Sequence, residues 1–202
     1  MFLQTLETNP VLFFRFVVVI IVSVCLHELA HGLAAISQGD DTPIKQGHMT
    51  MNPVVHMGWE SIVLLCLAGI AWGQMPVNPD KFRSPKFGNI LVSAAGPLAN
   101  LGLSLIFVLL TRLSCSDSSG QEFMSCQFLY MVAHINFVLF LFNLLPIPPL
   151  DGFHVLSELI PSLKLFQYGS YGLILMMLLF VNPAVGRGLS AVANLVILQL
   201  VG

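Results

Sequence analysis

The sequence predicts an all-α polytopic membrane protein. About five transmembrane helices are expected, with a re-entrant or short β-hairpin region between the first and second. Three observations lead there. Apolar types make up 56% of the 202 residues and charged types only 9%, where a soluble domain carries about a quarter charged residues. The mean hydropathy is +0.85. Several apolar runs approach or exceed the ~20 residues that cross a ~30 Å hydrocarbon core. Residues 1–202 read as a single membrane-embedded domain, with a core at 11–152 and additional helices in 153–202. The lipid bilayer is the expected partner. A net charge of −2 and the lack of a basic patch speak against nucleic acid.

The first span is placed at 11–36, after Asn9-Pro10. No Lys or Arg precedes Arg15, and the run is longer than a signal-peptide core, so it reads as a retained helix. Gly39-Asp40-Asp41-Thr42-Pro43 ends it. Residues 45–56 suggest a strand or hairpin, and the stretch from His48 to His56 could add an edge strand. The apolar run 61–72 is too short to cross the membrane as a helix, which makes it re-entrant or interfacial. Further spans are expected at 88–111, 128–145, 165–181 and 184–201. The polar loop 112–127 separates the second from the third, and Pro146, Pro148 and Pro149 stop the third.

Charge sets the expected orientation. With simple alternation, Lys45, Lys81, Arg83, Lys86 and Lys164 share one side, and Arg112 and Arg187 the other, with Arg15 near its edge. The positive-inside rule puts the first group in the cytoplasm. The N-terminus then faces out, and the candidate site lies toward the cytoplasmic side. Of the four cysteines, Cys115 and Cys126 fall in the outside loop, where a bridge is permitted and free thiols are the alternative. Cys25 and Cys66 read as core residues, and no CxxC pair suggests a cysteine zinc site.

Inside the first span stands His27-Glu28-Leu29-Ala30-His31. Positions i and i+4 share a helix face, so both imidazoles can reach one ion, with Glu28 beside them. Zinc hydrolases use this arrangement: the ion polarises a scissile carbonyl and acidifies water, and the glutamate is the general base. Three ionisable groups in an apolar span are costly to insert, at roughly 2.5–3.5 kcal/mol each. A dication is an effective partner for them. Zinc needs a third protein ligand and an open position. Asp151, after the proline-broken stretch, is the candidate. The alternative for Asp151 is an N-cap of the next short helix.

HELAHG at 27–32, FNLLPIPPLDG at 142–152 and SAAGPLAN at 93–100 together resemble the site-2 protease family of intramembrane zinc metallopeptidases. MNPVVHMG at 51–58 and PVNP at 76–79 also look like family signatures. The resemblance covers about 11–152. It implies one Zn2+ on His27, His31 and Asp151, Glu28 as base, and cleavage of transmembrane segments of single-span proteins in regulated signalling. Many relatives have an aspartate where this chain has Gly58.

A transmembrane substrate must unwind to be cut, because its peptide groups are paired internally. Asn143, Asn100 and His56 are candidates for binding the exposed strand, against plain helix–helix bonding for the asparagines and a loop role for His56. Gly96 reads as close helix packing, and His48, His134 and His154 as non-ligands. Two other functions were weighed. A non-catalytic helix-binding protein has no need of Glu28, and a metal transporter should show paired broken helices in repeats, which the sequence lacks.

Overall fold

The computed structural model describes residues 2–115, 120–166, 172, 175–176, 178–179 and 182–201. The helices are α1 (Phe2–Thr8), α2 (Pro10–Ser37), α3 (Thr42–Lys45), α4 (Pro53–Ala68), α5 (Pro85–Ser114), α6 (Gly120–Asn143), α7 (Asp151–Leu159) and α8 (Pro183–Val201). Short 3-10 turns lie at Pro79–Lys81 and Pro161–Phe166. Four helical stretches are long and apolar enough to cross a membrane: Pro10–Ser37, Pro85–Ser114, Ser125–Asn143 and Pro183–Val201. The span expected at 165–181 falls largely outside the described residues.

The expected hairpin is not formed. Among the described residues, 38–86 contains helices, turns and irregular chain but no strand. The local chemistry explains this. Pro43 and Pro53 stand in the first turns of α3 and α4, where their fixed φ suits a helix start. Asn52 caps α4 by accepting from the Val54 N–H at 3.0 Å. At 16 residues, α4 is about 24 Å long and short of a bilayer core. Gly58 interrupts it at φ 69°, ψ 166°. Only glycine adopts that region freely, so an aspartate there would be strained.

The bundle is apolar outside and polar inside. Phe14, Val18 and Val22 of α2 and Leu105, Leu109 and Leu113 of α5 are exposed. Ser23, Glu28, Asn100, Ser104 and Asn136 are buried. Apolar packing still ties the elements together: Val17, Ile20 and Val24 of α2 meet Met57 and Leu65 of α4 and Val132 and Ile135 of α6. Ala193 and Ile197 of α8 close on Val108, Ala133 and Phe137. Interhelical bonds supplement this, with Ser104 donating to the Ala133 carbonyl (2.9 Å) and Tyr130 to Asn194 (2.7 Å). A disulfide joins Cys115, just after α5, to Cys126 in α6. Cys25 is buried and Cys66 half-buried, both as free thiols.

Candidate metal centre

His27 and His31 lie on the part of α2 that faces α5, and they and Glu28 are buried. The two ring Nε2 atoms are 3.0 Å apart. Their other nitrogens are engaged. His31 Nδ1–H donates to the Val92 carbonyl at 2.6 Å. A carbonyl can only accept, so Nδ1 carries a proton, and in the neutral ring Nε2 keeps its lone pair.

His27 is fixed by a longer chain. The Asn136 amide nitrogen donates to the Val132 carbonyl at 2.9 Å, which turns its oxygen to Asn100. The Asn100 amide nitrogen donates to that oxygen at 3.0 Å. Asn100 Oδ1 therefore faces His27 and accepts its Nδ1–H at 2.6 Å. Both imidazoles thus present bare Nε2 atoms to one point. Asn100, expected as a contact for an incoming strand, is buried here with both ends of its amide in use, one of them on His27.

Asp151 completes the group. Its Oδ2 is 3.1 Å from His27 Nε2 and its Oδ1 is 3.4 Å from His31 Nε2. The N-cap of α7 is Leu150, and Asp151 makes no capping bond. The prolines end α6 and Gly152 lets the chain double back. A Cβ at Gly152 would collide with the Leu144 backbone, so the bare residue allows α7 to start against that turn. In α5, Pro97 removes the N–H that would serve the Ser93 carbonyl, loosening the helix beside Val92.

The donor set suits a metal ion. Two imidazole nitrogens and a carboxylate lie with their ligand atoms within 4.8 Å of one another. With both rings neutral and protonated on Nδ1, two lone pairs face each other at 3.0 Å, an arrangement that a shared cation relieves. Two histidines and a carboxylate are a known catalytic zinc set. On the α5 side the space next to the rings is kept clear by Gly96, whose Cβ would strike both Nε2 atoms. That residue serves the site, beyond the helix packing expected of it.

Glu28 lies against Gly73, which stands between the run expected to be re-entrant and the PVNP motif. A Cβ on Gly73 would fall 2.5 Å from Glu28 Oε1. Along 70–78 the chain has no regular structure, and alternate residues bond inward. The Trp72, Gln74 and Asn78 N–H groups donate to Ser61 Oγ (2.9 Å), the His56 carbonyl (2.9 Å) and Asp40 Oδ2 (2.6 Å). In an extended chain the intervening Gly73, Met75 and Val77 turn their backbone groups to the opposite edge. His48–His56, expected as the edge strand, instead forms bends and the first turn of α4.

The other named residues are placed as follows. His56 is 1% exposed, outside the ligand set, and donates from Nε2 to the Thr50 carbonyl at 2.6 Å. It is part of the wall that holds 70–78. Asn143 is half-buried at the end of α6, its amide donating to the Leu139 carbonyl at 3.0 Å. His134 pairs with Ser190 at 3.0 Å, and His48 bonds the Gln46 carbonyl. Neither belongs to the ligand group, nor does His154. Asn136 and Gly73 were missed; nothing in their local sequence marks them.

An HExxH helix sunk in an apolar bundle, met by a distant carboxylate, is the architecture of a membrane metalloprotease. Comparison with known proteins agrees: residues 15–118 and 114–181 match peptidase family M50. The chain belongs to that family, the site-2 proteases. It is 42% identical over 178 residues to "Putative zinc metalloprotease YwhC" of Bacillus subtilis, covering 83% of this chain and 80% of that protein. It is 30% identical over 176 residues to "Putative zinc metalloprotease Rip2" of Mycolicibacterium smegmatis, covering 83% of this chain and 66% of the other. "Zinc metalloprotease MJ0392" of Methanocaldococcus jannaschii is 26% identical over 183 residues, of which the match spans 45% of that protein's length. No solved structure matches the chain.

Proposed function

We propose that the chain is an intramembrane zinc metalloendopeptidase that hydrolyses peptide bonds in or near transmembrane segments of single-span proteins, in regulated intramembrane proteolysis. One zinc ion is held by His27, His31 and Asp151. The observation that carries this reading is the meeting of Asp151 with two histidine rings more than a hundred residues earlier in the chain. When bound, the ion supplies a Lewis acid for the scissile carbonyl and an acidified water. Glu28 takes the proton from that water and delivers it to the leaving amine. The Val92 carbonyl and the Asn136–Asn100 pair hold the imidazoles in the ligating tautomer.

The substrate strand pairs with the outer edge of 70–78. Gly73, Met75 and Val77 offer backbone groups there that have no partner among the described residues. Gly73 brings that edge to Glu28, and strand addition of this kind is a common peptide-binding mode. Asn143, at the mouth formed by the α6–α7 turn, binds the unwound backbone as a further polar partner. The N-terminus faces out and the site lies toward the cytoplasm. The disulfide between Cys115 and Cys126 supports this, since such bonds persist in oxidising compartments.

Glu28→Gln tests the reading. The amide cannot take a proton, while the three ligands are untouched. Glu28-dependent cleavage of co-expressed single-span proteins is expected to disappear, with zinc stoichiometry by elemental analysis still near one. Full cleavage by the variant would refute the role.

A further inference from the structure

We infer that Ser61 is a positioning residue of the protease: its buried hydroxyl grips the backbone of Trp72 so that Gly73 bears on Glu28 and holds that side chain in its working rotamer. The inference rests on the protease reading above.

Ser61 is fully buried on α4. A hydroxyl in an apolar helix can bond the carbonyl one turn back, as Thr111 does with Phe107 at 2.7 Å. Ser61 instead reaches eleven residues on. Its Oγ–H donates to the Trp72 carbonyl at 2.7 Å, and the Trp72 N–H donates to the same oxygen at 2.9 Å. One side chain thus satisfies both backbone groups of one residue, as a facing strand residue does in a hydrogen-bonded antiparallel pair. Two residues further, the Gln74 N–H donates to the His56 carbonyl at 2.9 Å. In an unbroken helix that carbonyl serves the residue four positions on; here the interruption at Gly58 falls within those four. The chain is therefore held from α4 on both sides of Gly73.

What the grip presses on is the general base. A Cβ on Gly73 would fall 2.5 Å from Glu28 Oε1, 2.8 Å from Glu28 Cγ and 2.8 Å from Val24 Cγ1. The bare backbone of residue 73 thus packs directly on the Glu28 side chain. Further along α2, the Met75 thioether lies over Gly32, and Val77 packs against the group around Ala35. Without the Ser61 hydroxyl, the Trp72 peptide groups turn to other partners and Gly73 draws away. Glu28 then gains rotamers, and a catalytic group misplaced by about 1 Å can cost about 100-fold in rate. The bonds that orient His27 and His31 come from α5, so the ligand group does not depend on Ser61.

Two measurements on the purified full chain test this, with zinc content reporting folding. The first is amide exchange without substrate. In Ser61→Ala the amides of Trp72, Gly73 and Gln74 should exchange roughly 10-fold faster or more. Unchanged exchange overturns the grip. The second is a double-mutant cycle in kcat, on a single-span protein whose cutting is lost in Glu28→Gln. Ser61→Ala should lower kcat about 10- to 100-fold with KM little changed. Gly73→Ala should lower it as well, because the added methyl pushes Glu28 aside. In the double variant the loosened chain yields to that methyl, so the combined loss should fall short of the product of the single losses by at least about 3-fold. Losses that simply multiply mean that Ser61 does not act through Gly73, and the inference is overturned. Should Ser61→Ala fail to hold zinc, Ser61→Cys, of similar shape but only a weak donor and acceptor, replaces it in both measurements. If no cut depends on Glu28, the protease reading fails and the inference falls with it, whereas a Glu28-dependent cut that Ser61→Ala leaves at full rate sinks the inference alone.

Discussion

At the scale of single residues, the centre is a problem of proton placement. Two imidazoles four residues apart reach one ion only if both protons sit on Nδ1. The Val92 carbonyl settles this for His31, and a chain ending on the Val132 carbonyl settles it for His27 through Asn136 and Asn100. Removing Asn100 frees the His27 ring to rotate or change tautomer. Asn100→Ala should therefore weaken zinc binding about 10- to 100-fold, the usual effect of losing such a partner. Chelator competition on the purified protein measures this; unchanged affinity would mean that helix packing alone holds the ring. The helix motif was legible because i, i+4 spacing is a local property. Asn100 stood out in the sequence, but its partner did not. Asn136 lies on another helix, and no pattern in α6 separates it from an ordinary packing asparagine.

At the scale of elements, the loop after α2 and the segment 70–78 form one unit. Asp40 is fully buried and accepts from the Thr42 N–H at 3.0 Å and the Asn78 N–H at 2.6 Å. Burial pushes its carboxyl up, but those bonds and Lys81 at 3.7 Å outweigh it, and the net shift is downward. Next to it, hydrogen bonds from Lys45 and Lys81 hold exposed Asp41 down to about 2. A carboxylate lowered in the folded state stabilises above its ordinary value of ~3.9, and the contribution is lost as pH falls through the lowered value. Exchange of the 70–78 amides should therefore quicken as pH falls below the ordinary carboxylate value of about 4, beyond the trend in Asp40→Ala. That variant leaves two part-buried N–H groups without their partner and loses hydrogen bonds to a charged group, each worth about 1.5–3 kcal/mol. It should raise proteolysis of 70–78 and lower cleavage at neutral pH while zinc stays bound. Equal exchange in variant and wild type at neutral pH would remove Asp40 from this role. In the sequence Gly39-Asp40-Asp41 showed only as a helix stop, because the partner of Asp40 lies 38 residues away.

At the scale of the whole molecule, the expected orientation and the disulfide make a joint prediction. Cys115 and Cys126 should resist a membrane-impermeant maleimide applied from outside intact cells until a reductant is added, and then label fully. Labelling only after permeabilisation would reverse the topology. The sequence by itself determined the membrane class, the spans at α2, α5, α6 and α8, and the shared helix face of His27 and His31, because apolar run length and i, i+4 spacing are properties of contiguous chain. Of its two alternatives for the region after α2, re-entrant or hairpin, the hairpin is not formed, since Pro43, Asn52 and Pro53 start helical turns in a stretch that reads as mixed. Only the tertiary structure decided that Asp151 meets the two rings, that Gly96 clears space for them, and that 70–78 lies along Glu28. Those facts depend on distances between segments remote in the chain. Packing fixes such distances through the sum of many contacts, and no local pattern encodes that sum.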